Sequence, residues 1–391
     1  MEHECAYRYR CYPNATQRAI LARTFGAARY VYNWALRLRT DAFYERGERI
    51  GYVESSARLT ALKRTEGQEW MNEVSSVPMQ QALRHLDTAY RNFFAGRTAY
   101  PTFRRKDGPQ SAEYTTSAFK YRDGRITLAK MDAPLHIHWS RPLPVGSTPS
   151  TVTVTRDAAG RHFVSLRIKR DAMPLPVTDA AVGVDVGLTS LVTLSTGEKV
   201  GNPRFGERDA KRLAKAQRDL SRKTKGSRRR EKAKRRVARI HARIADRRLD
   251  TLHKLSTRLI RENQTIAVES LAVKNMVKNH SLARAISDAG WGEFVRQLRY
   301  KAEWYGRTLV EIDRWYPSSK RCSCCGHVVD SLSLDVRRWS CPACGAEHDR
   351  DVNAAVNVAA AGQAVLARGE AVRPKRETVA AGLVEPRIPR F

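Results

Sequence analysis

The chain has 391 residues, 42% of them hydrophobic, which is enough for two or three domains with a sizeable core. Lysine and arginine number 71 against 40 acidic residues, and a net charge of +31 makes nucleic acid the leading partner, with an acidic membrane surface as the weaker alternative. No apolar run reaches the roughly 18 residues of a membrane-spanning helix, and the first residues are not a signal peptide, so we expect a cytoplasmic protein without a membrane partner.

Residues 6–12 predict a β-strand with one basic face. Arg8 and Arg10 alternate there with apolar and aromatic side chains, which is the period of a half-buried strand. Asn14 followed by Gln17 then matches the capping box that opens a helix. The sequence therefore predicts a strand followed directly by a helix.

Helical periodicity continues to about residue 94, with a break near residues 75–78 and a second helix over 79–94. Arg29 is one of the arginines that remain available for a phosphate backbone, because the apolar side of the first helix is expected to be core. Residues 97–108 form a basic loop with interleaved aromatic residues, which suits a single strand or a distorted duplex; a solvated charge run is the alternative. Its basic residues are Arg104, Arg105 and Lys106.

Residues 112–170 predict a sheet built from hairpins. Short β-rich segments alternate with turn residues, including Asp123-Gly124 between residues 121 and 128. A second hairpin is expected between 150–155 and 162–168, and the strand at 6–12 could join the same sheet.

From residue 181 the pattern becomes α/β, with a carboxylate inside the first buried strand. A buried carboxylate is costly unless it is paired or bound to metal, so Asp185 is a ligand candidate; a hydrogen-bonded structural aspartate is the alternative. The expected strands are 181–187, 190–196, 198–201, 265–270 and 308–314, with a helix near 291–306.

Two further carboxylates suggest a shared metal site. Glu269 ends the strand at 265–270, and Asp351 begins an alanine- and valine-rich helix. Carboxylates on separate elements can hold two Mg²⁺ ions on either side of a scissile phosphate. Asp351 is preferred to Asp349, because Val352, Ala355, Val356 and Ala359 are expected to face the sheet, which leaves Asp349 as a helix cap or a partner of Arg350.

Residues 206–243 form a strongly basic helical region, with seventeen lysines and arginines against four acidic residues. So little balancing acid favours a nucleic-acid backbone over a solvated helical hairpin. A turn between two helices is expected at 221–230. The candidate contacts are Arg222, Lys223, Lys225, Arg228, Arg229, Arg230, Arg235 and Arg236.

Five of the seven cysteines lie between residues 322 and 344, which indicates a metal site rather than a disulfide framework. Cys322 with Cys325, and Cys341 with Cys344, make two C-x₂-C knuckles, each followed by glycine. Their spacer of fifteen residues is typical of a structural Cys₄ zinc ribbon. Cys324 is surplus to the four ligands.

Several motifs together resemble the TnpB family, the compact RNA-guided nucleases of bacterial insertion sequences, similar to type V CRISPR effectors. They are residues 9–13, 25–33, 183–187, 268–271, 317–322, 341–345 and 348–355. The resemblance covers nearly the whole chain. It implies an α/β and α+β multidomain protein, with a RuvC-like RNase H fold that contains an inserted zinc ribbon and follows a β-barrel-like wedge domain with a helical recognition insertion.

The resemblance also implies a function and its residues. The family binds a guide RNA from the element's end, recognises a short target-adjacent motif and cuts double-stranded DNA, and its catalytic triad carries over to Asp185, Glu269 and Asp351, with Mg²⁺ as the ion. A monomer is favoured. The expected domains are 1–14 (first wedge strand), 15–111 (helical recognition), 112–178 (remaining wedge), 179–316 (first nuclease part, with a basic helical region at 206–262), 317–347 (zinc ribbon), 348–373 (last nuclease helix) and 374–391 (disordered tail).

Three other classes of protein compete with this interpretation. A nuclease-inactive RNA-guided DNA-binding regulator would lose a carboxylate, and all three are present. A sugar-kinase or actin-like ATPase would share the motif at 183–189 but needs a second phosphate loop, and it fits poorly with the charge and the cysteines. A zinc-ribbon regulator or transposase accessory protein would not need the triad.

Overall fold

The structure is a computed structural model that describes residues 2–333 and 335–368. The chain divides into two compact units, with the boundary between Asp171 and Ala172. The tail expected to be disordered, and the end of the last nuclease domain, lie outside the described residues. Within them, no helix is long and apolar enough to cross a membrane.

The first unit contains an antiparallel five-stranded sheet in the order β2-β6-β7-β1-β5. Both predicted hairpins are confirmed, and so is the pairing of the N-terminal strand with this sheet, since β1 runs alongside the whole of β7. Among the described residues, no hydrogen-bonded pair joins the two edge strands β2 and β5, so this sheet is open. The barrel-like wedge that the resemblance implied is therefore not confirmed. The strands are β1 (Glu2–Cys11), β2 (Gln110–Thr115), β3 (Phe119–Arg122), β4 (Arg125–Leu128), β5 (Ile137–His138), β6 (Thr151–Arg156) and β7 (His162–Asp171).

Three helices follow β1 in the chain: α1 (Ala15–Arg46), α2 (Tyr52–Leu62) and α3 (Ser76–Phe94). The capping box at the start of α1 is confirmed, with Asn14 and Gln17 each accepting from the other's backbone N–H. Helix α3 begins three residues earlier than predicted, because the Ser75 hydroxyl accepts from the backbone N–H of Val77 and caps the helix there.

The second unit is organised around a mixed sheet in the order β10-β9-β8-β11-β12. Strands β10, β9 and β8 are antiparallel, whereas β8, β11 and β12 are parallel. This arrangement confirms the predicted α/β pattern. The strands are β8 (Ala181–Val186), β9 (Ser190–Leu194), β10 (Lys199–Gly201), β11 (Thr265–Glu269) and β12 (Thr308–Ile312).

Helices cover both faces of this sheet. Because successive strand residues point to opposite faces, Val184 and Val268 pack with Leu259 and Phe294 on one side. Ala267 packs with α10 on the other side. The helices are α4 (Phe205–Arg208), α5 (Ala210–Ser221), α6 (Arg228–Glu262), α7 (Val273–Met276), α8 (Ala283–Ala289), α9 (Trp291–Tyr305) and α10 (Arg350–Ala367).

The cysteine-rich segment lies between β12 and α10 in the chain. Its short antiparallel pair consists of β13 (Arg338–Ser340) and β14 (Glu347–Asp349). Because β14 runs directly into α10, the module lies immediately before the helix that carries Asp351.

Candidate active site

Asp185 and Glu269 lie side by side on parallel strands. Val184 of β8 pairs with Val268 of β11, so the next residue on each strand is a carboxylate at the same level of the sheet. Neighbouring strands are about 4.8 Å apart, and both side chains point to the α10 face. The two carboxylates are therefore adjacent by register.

Helix α10 brings Asp351 to the same place because glycine allows it to approach the sheet closely. A β-carbon on Gly183 would lie 2.1 Å from the carbonyl oxygen of Ala355, and one on Gly362 would lie 2.5 Å from the β-carbon of Ala267. Asp351 precedes Ala355 by about one helical turn. It therefore extends from the part of α10 that rests on β8, beside the strand ends.

The electrostatics of Asp185 reflect this crowding. Burial, together with the nearby carboxylates of Glu269 and Asp351, raises its pKa to about 8, while Arg350 acts in the opposite direction. Three acidic groups that repel one another in a half-buried site match the hard-oxygen ligand set of Mg²⁺. The residues present therefore fit a divalent-cation site.

Each of the other two carboxylates has a partner that the sequence did not indicate. The hydroxyl of Ser318 donates to Oε1 of Glu269, and Nη1 of Arg337 lies 3.4 Å from Oδ1 of Asp351. Neither contact could be read from periodicity or spacing, because both partners come from the segment between β12 and α10. Only the fold brings them to the carboxylates.

Asp349 caps α10, as predicted, since its carboxylate accepts from the backbone N–H groups of Asp351 and Val352. Its ionic partner is Lys199 of β10, 2.7 Å away, and not Arg350. Arg350 instead donates to the carbonyl oxygen of Ser333 at 2.6 Å. Of the two alternatives for Asp349, the helix cap is therefore confirmed, and the ion pair of the described structure is with Lys199 rather than Arg350.

The predicted sheet-facing side of α10 was partly wrong. Ala355 is buried as expected, and Ala359 comes close to Gly183, but Val352 and Val356 are only half-buried. The buried residues are Asn353, Ala354, Ala355, Asn357, Val358 and Gly362. The apolar pattern was misleading because two asparagines occupy buried positions on this helix.

The four cysteines chosen from the sequence come together. The sulfurs of Cys322, Cys325, Cys341 and Cys344 all lie within 4.8 Å of one another. The distances Cys322–Cys344 and Cys325–Cys341 are 3.7 and 3.6 Å, close to the roughly 3.8 Å edge of a tetrahedron with Zn–S bonds of about 2.3 Å. Cys324 is exposed and outside this group. The donor set fits zinc.

Most of the basic residues named at 222–236 are exposed around the turn between α5 and α6. Arg230 differs from its neighbours, because Nη1 donates to the carbonyl oxygens of Leu220 and Lys223 at 3.0 and 2.7 Å. Arg230 therefore closes the turn. Its neighbours Arg228, Arg229, Arg235 and Arg236 present charge to solvent.

In the first unit, several candidate arginines lie over aromatic rings. The Arg8 guanidinium is 4.0 Å from the ring centre of Phe163, and that of Arg104 is 3.8 Å from Tyr32. Arg104, Arg105 and Lys106 are exposed. Of the remaining candidates, Arg10 also lies over Phe163, Arg29 donates to Gln110 and Arg105 pairs with Asp107.

Family models match three stretches of the chain. A model described as "Probable transposase" (OrfB_IS605) matches residues 163–280, and one described as "Cas12f1-like, TNB domain" matches residues 291–358. A model described as a helix-turn-helix domain matches residues 1–48. Over that last stretch the described structure is the strand β1 and the long helix α1.

Full-length relatives and one solved structure agree with these matches. A Streptomyces pristinaespiralis protein named "Putative RNA-guided DNA endonuclease" is 60% identical, with 96% of this chain and 94% of the relative covered. Escherichia coli K12 InsQ, with the same description, is 32% identical over 95% of each chain. The Cas12f1 chain of a Cas12f1–sgRNA–target DNA complex has a TM-score of 0.55 and 13% identity, with 88% of this chain and 83% of that chain covered.

The mixed sheet and the four-cysteine module between β12 and α10 belong to a fold that the chain shares with the Cas12f1 chain. The relatives make the assignment specific. The chain belongs to the OrfB_IS605 family, also called the TnpB family.

Proposed function

We propose that the protein is an RNA-guided DNA endonuclease of a transposable element. It binds a guide RNA, recognises a short target-adjacent motif and cuts double-stranded DNA. The observation that carries this proposal is the meeting of Asp185, Glu269 and Asp351 from β8, β11 and α10. The relatives named as endonucleases support it, because they match the chain over nearly its whole length.

In this proposal the three carboxylates hold Mg²⁺. Bound there, two ions would neutralise charge at the scissile phosphate and activate water for phosphodiester hydrolysis. The protein's own residues prepare the site. The Ser318 hydroxyl donates to Glu269, and Asp349 caps the start of the helix that presents Asp351.

The four-cysteine module is proposed as a structural zinc site with Cys322, Cys325, Cys341 and Cys344 as ligands. Four thiolates fill a tetrahedral zinc and leave no open position, so this site would stabilise the fold rather than act on substrate. The module lies between β12 and α10 in the chain. Zinc would therefore constrain the segment that joins the last strand to the helix of Asp351.

The basic surfaces are proposed to contact the nucleic acids. Exposed arginines and lysines around the α5–α6 turn provide a sequence-independent attraction for phosphates. In the first unit, the arginines over aromatic rings offer both charge and stacking. Residues 1–14 and 112–178 would form the wedge domain and residues 15–111 the recognition domain, with base pairing providing sequence specificity.

The test is a cleavage assay with the protein purified together with its RNA. The RNA is sequenced, and plasmids that carry the matching target beside randomised flanking sequence are supplied with Mg²⁺. We expect double-strand breaks in the parent and none with Asp185→Asn or Glu269→Gln, while RNA-guided binding to the target persists. Target binding without cleavage by the parent would instead identify a nuclease-inactive regulator.

A further inference from the structure

Ser318 is a buried residue whose side chain is directed at Glu269. It is 5% exposed, and its hydroxyl donates to Oε1 of that carboxylate. A hydroxyl that donates to a carboxylate forms a strong, charge-assisted hydrogen bond. Because a carboxylate oxygen has two lone pairs, this bond fixes the orientation of Glu269 and leaves it able to accept a cation.

The backbone at Ser318 is itself held by two buried asparagines one turn apart on α10. The side-chain amides of Asn353 and Asn357, 2% and 3% exposed, donate to the carbonyl oxygen of Ser318 at 3.4 and 2.9 Å. They also donate to the carbonyl oxygen of Arg321 at 2.8 and 2.6 Å. Two amides thus hold the segment that leads from β12 to the first cysteine.

The first cysteine knuckle completes this arrangement. The backbone N–H of Ser323 donates to Oδ1 of Asn353 at 2.9 Å, which fixes which end of that amide carries the oxygen. Buried amides are costly unless all their groups are paired, so the observed pairing defines one position for this segment. The helix that carries Asp351 therefore also determines where the hydroxyl of Ser318 lies.

We propose that Ser318 is a positioning residue that holds Glu269 for divalent-cation binding, with Asn353 and Asn357 fixing Ser318 in turn. The inference rests on the proposed carboxylate metal site and adds a residue outside the triad. Removal of the hydroxyl frees the Glu269 side chain to change rotamer, which weakens cation binding. Substitution of a residue that orients a metal ligand typically lowers metal affinity by about 10- to 100-fold.

The experiment measures Mn²⁺ binding to the full-length, zinc-loaded protein by the electron paramagnetic resonance signal of free Mn²⁺, so no cleavage is needed. Asp185→Asn defines the binding that depends on the carboxylate site. Ser318→Ala should weaken that binding about tenfold. Ser318→Cys, which keeps the size but donates only weakly, should also weaken it and covers the case in which the alanine variant fails to fold. Ser319→Ala is the matched control and should stay within about twofold of the parent.

The outcomes separate this inference from the proposed function. If Asp185→Asn loses Mn²⁺ binding while folded Ser318→Ala or Ser318→Cys binds like the parent, the positioning role is wrong and the metal site stands. If Asp185→Asn binds as much Mn²⁺ as the parent, the carboxylate site itself is wrong, and both proposals fall. An equal loss with Ser319→Ala would also overturn the specific role of Ser318.

Discussion

Gly183 and Ala355 approach each other so closely that a β-carbon on the glycine would lie 2.1 Å from the alanine carbonyl oxygen. It would also lie 2.5 Å from the backbone nitrogen of Ala359. Both contacts are with helix backbone, which cannot rotate away as a flexible side chain can. The position of α10, and with it that of Asp351, depends on the missing side chain at residue 183.

Gly183→Ala should therefore displace α10 and lower the free energy of unfolding by about 3 kcal/mol, the upper part of the usual range for overpacking. Chemical denaturation followed by circular dichroism measures the change. Gly201→Ala is the matched control in the same sheet, since a β-carbon there would meet nothing within 4 Å. An equal loss at both positions would contradict the close-packing argument.

Asp351→Asn should abolish DNA cleavage, whereas Asp349→Asn should keep substantial activity. Asparagine is as good a helix cap as aspartate, so the second variant loses mainly the ion pair with Lys199. That pair is partly exposed and contributes at most about 1 kcal/mol. Cleavage is compared at saturating Mg²⁺ and guide RNA. An inactive Asp349→Asn with an active Asp351→Asn would reverse the proposed assignment.

Cys324→Ser should leave one zinc ion per chain, and Cys325→Ser should lose the zinc or weaken the fold. The physical reason is that Cys325 lies in the four-sulfur cluster, whereas Cys324 is exposed outside it. Elemental analysis of the purified variants measures the content. Zinc retained by Cys325→Ser but lost from Cys324→Ser would exchange the two cysteines in the ligand set.

Reversing the charges of Arg228, Arg229, Arg235 and Arg236 to glutamate should weaken RNA binding and flatten its dependence on salt. Each lost phosphate contact lowers the slope of log affinity against log salt by about 0.7 to 0.9. Arg230→Gln should instead mainly destabilise the α5–α6 turn, because its guanidinium is already bonded to backbone carbonyls. Filter binding at several salt concentrations and thermal unfolding distinguish the two effects. An unchanged slope in the fourfold variant would exclude this surface.

Acid should destabilise the first unit through His162. Burial, together with the nearby charges of Arg156 and Arg10, lowers the pKa of this histidine to about 4. Between about pH 6.5 and pH 4 the unfolded chain binds a proton that the folded chain does not, so stability rises with pH across this window. His162→Gln should remove that part of the dependence. Chemical denaturation of the parent and of His162→Gln at pH 4.5 and pH 7 measures this. If the stability difference between the two pH values is the same in the variant as in the parent, the assignment to His162 is contradicted.

Local patterns predicted much of this fold. The capping box of α1, both hairpins and the strand around Asp185 depend on neighbouring residues, and each is found where it was predicted. The spacing of the four cysteines predicted a cluster, and in the structure the four sulfurs lie within 4.8 Å of one another. These features share one property: the residues that define them are close in sequence or follow a fixed spacing.

The sequence could not predict the contacts between segments that are distant along the chain. Ser318 and Arg337 reach the carboxylates from a segment whose path has no periodic signal. Asn353 and Asn357 are polar side chains in buried positions, so a search for apolar residues misplaced the buried side of α10. Polar residues that satisfy one another in the interior are invisible to hydrophobic periodicity.

The order of elements along the chain has a consequence for protein synthesis. Strands β8 and β11, which carry Asp185 and Glu269, are translated before α10, and about eighty residues separate Glu269 from Asp351. At roughly 5–20 residues per second, the ribosome adds that stretch over several seconds. During this interval the nascent chain has two of the three carboxylates and an uncovered sheet face. A transcript truncated before codon 351 therefore encodes a protein with only two of the three carboxylates.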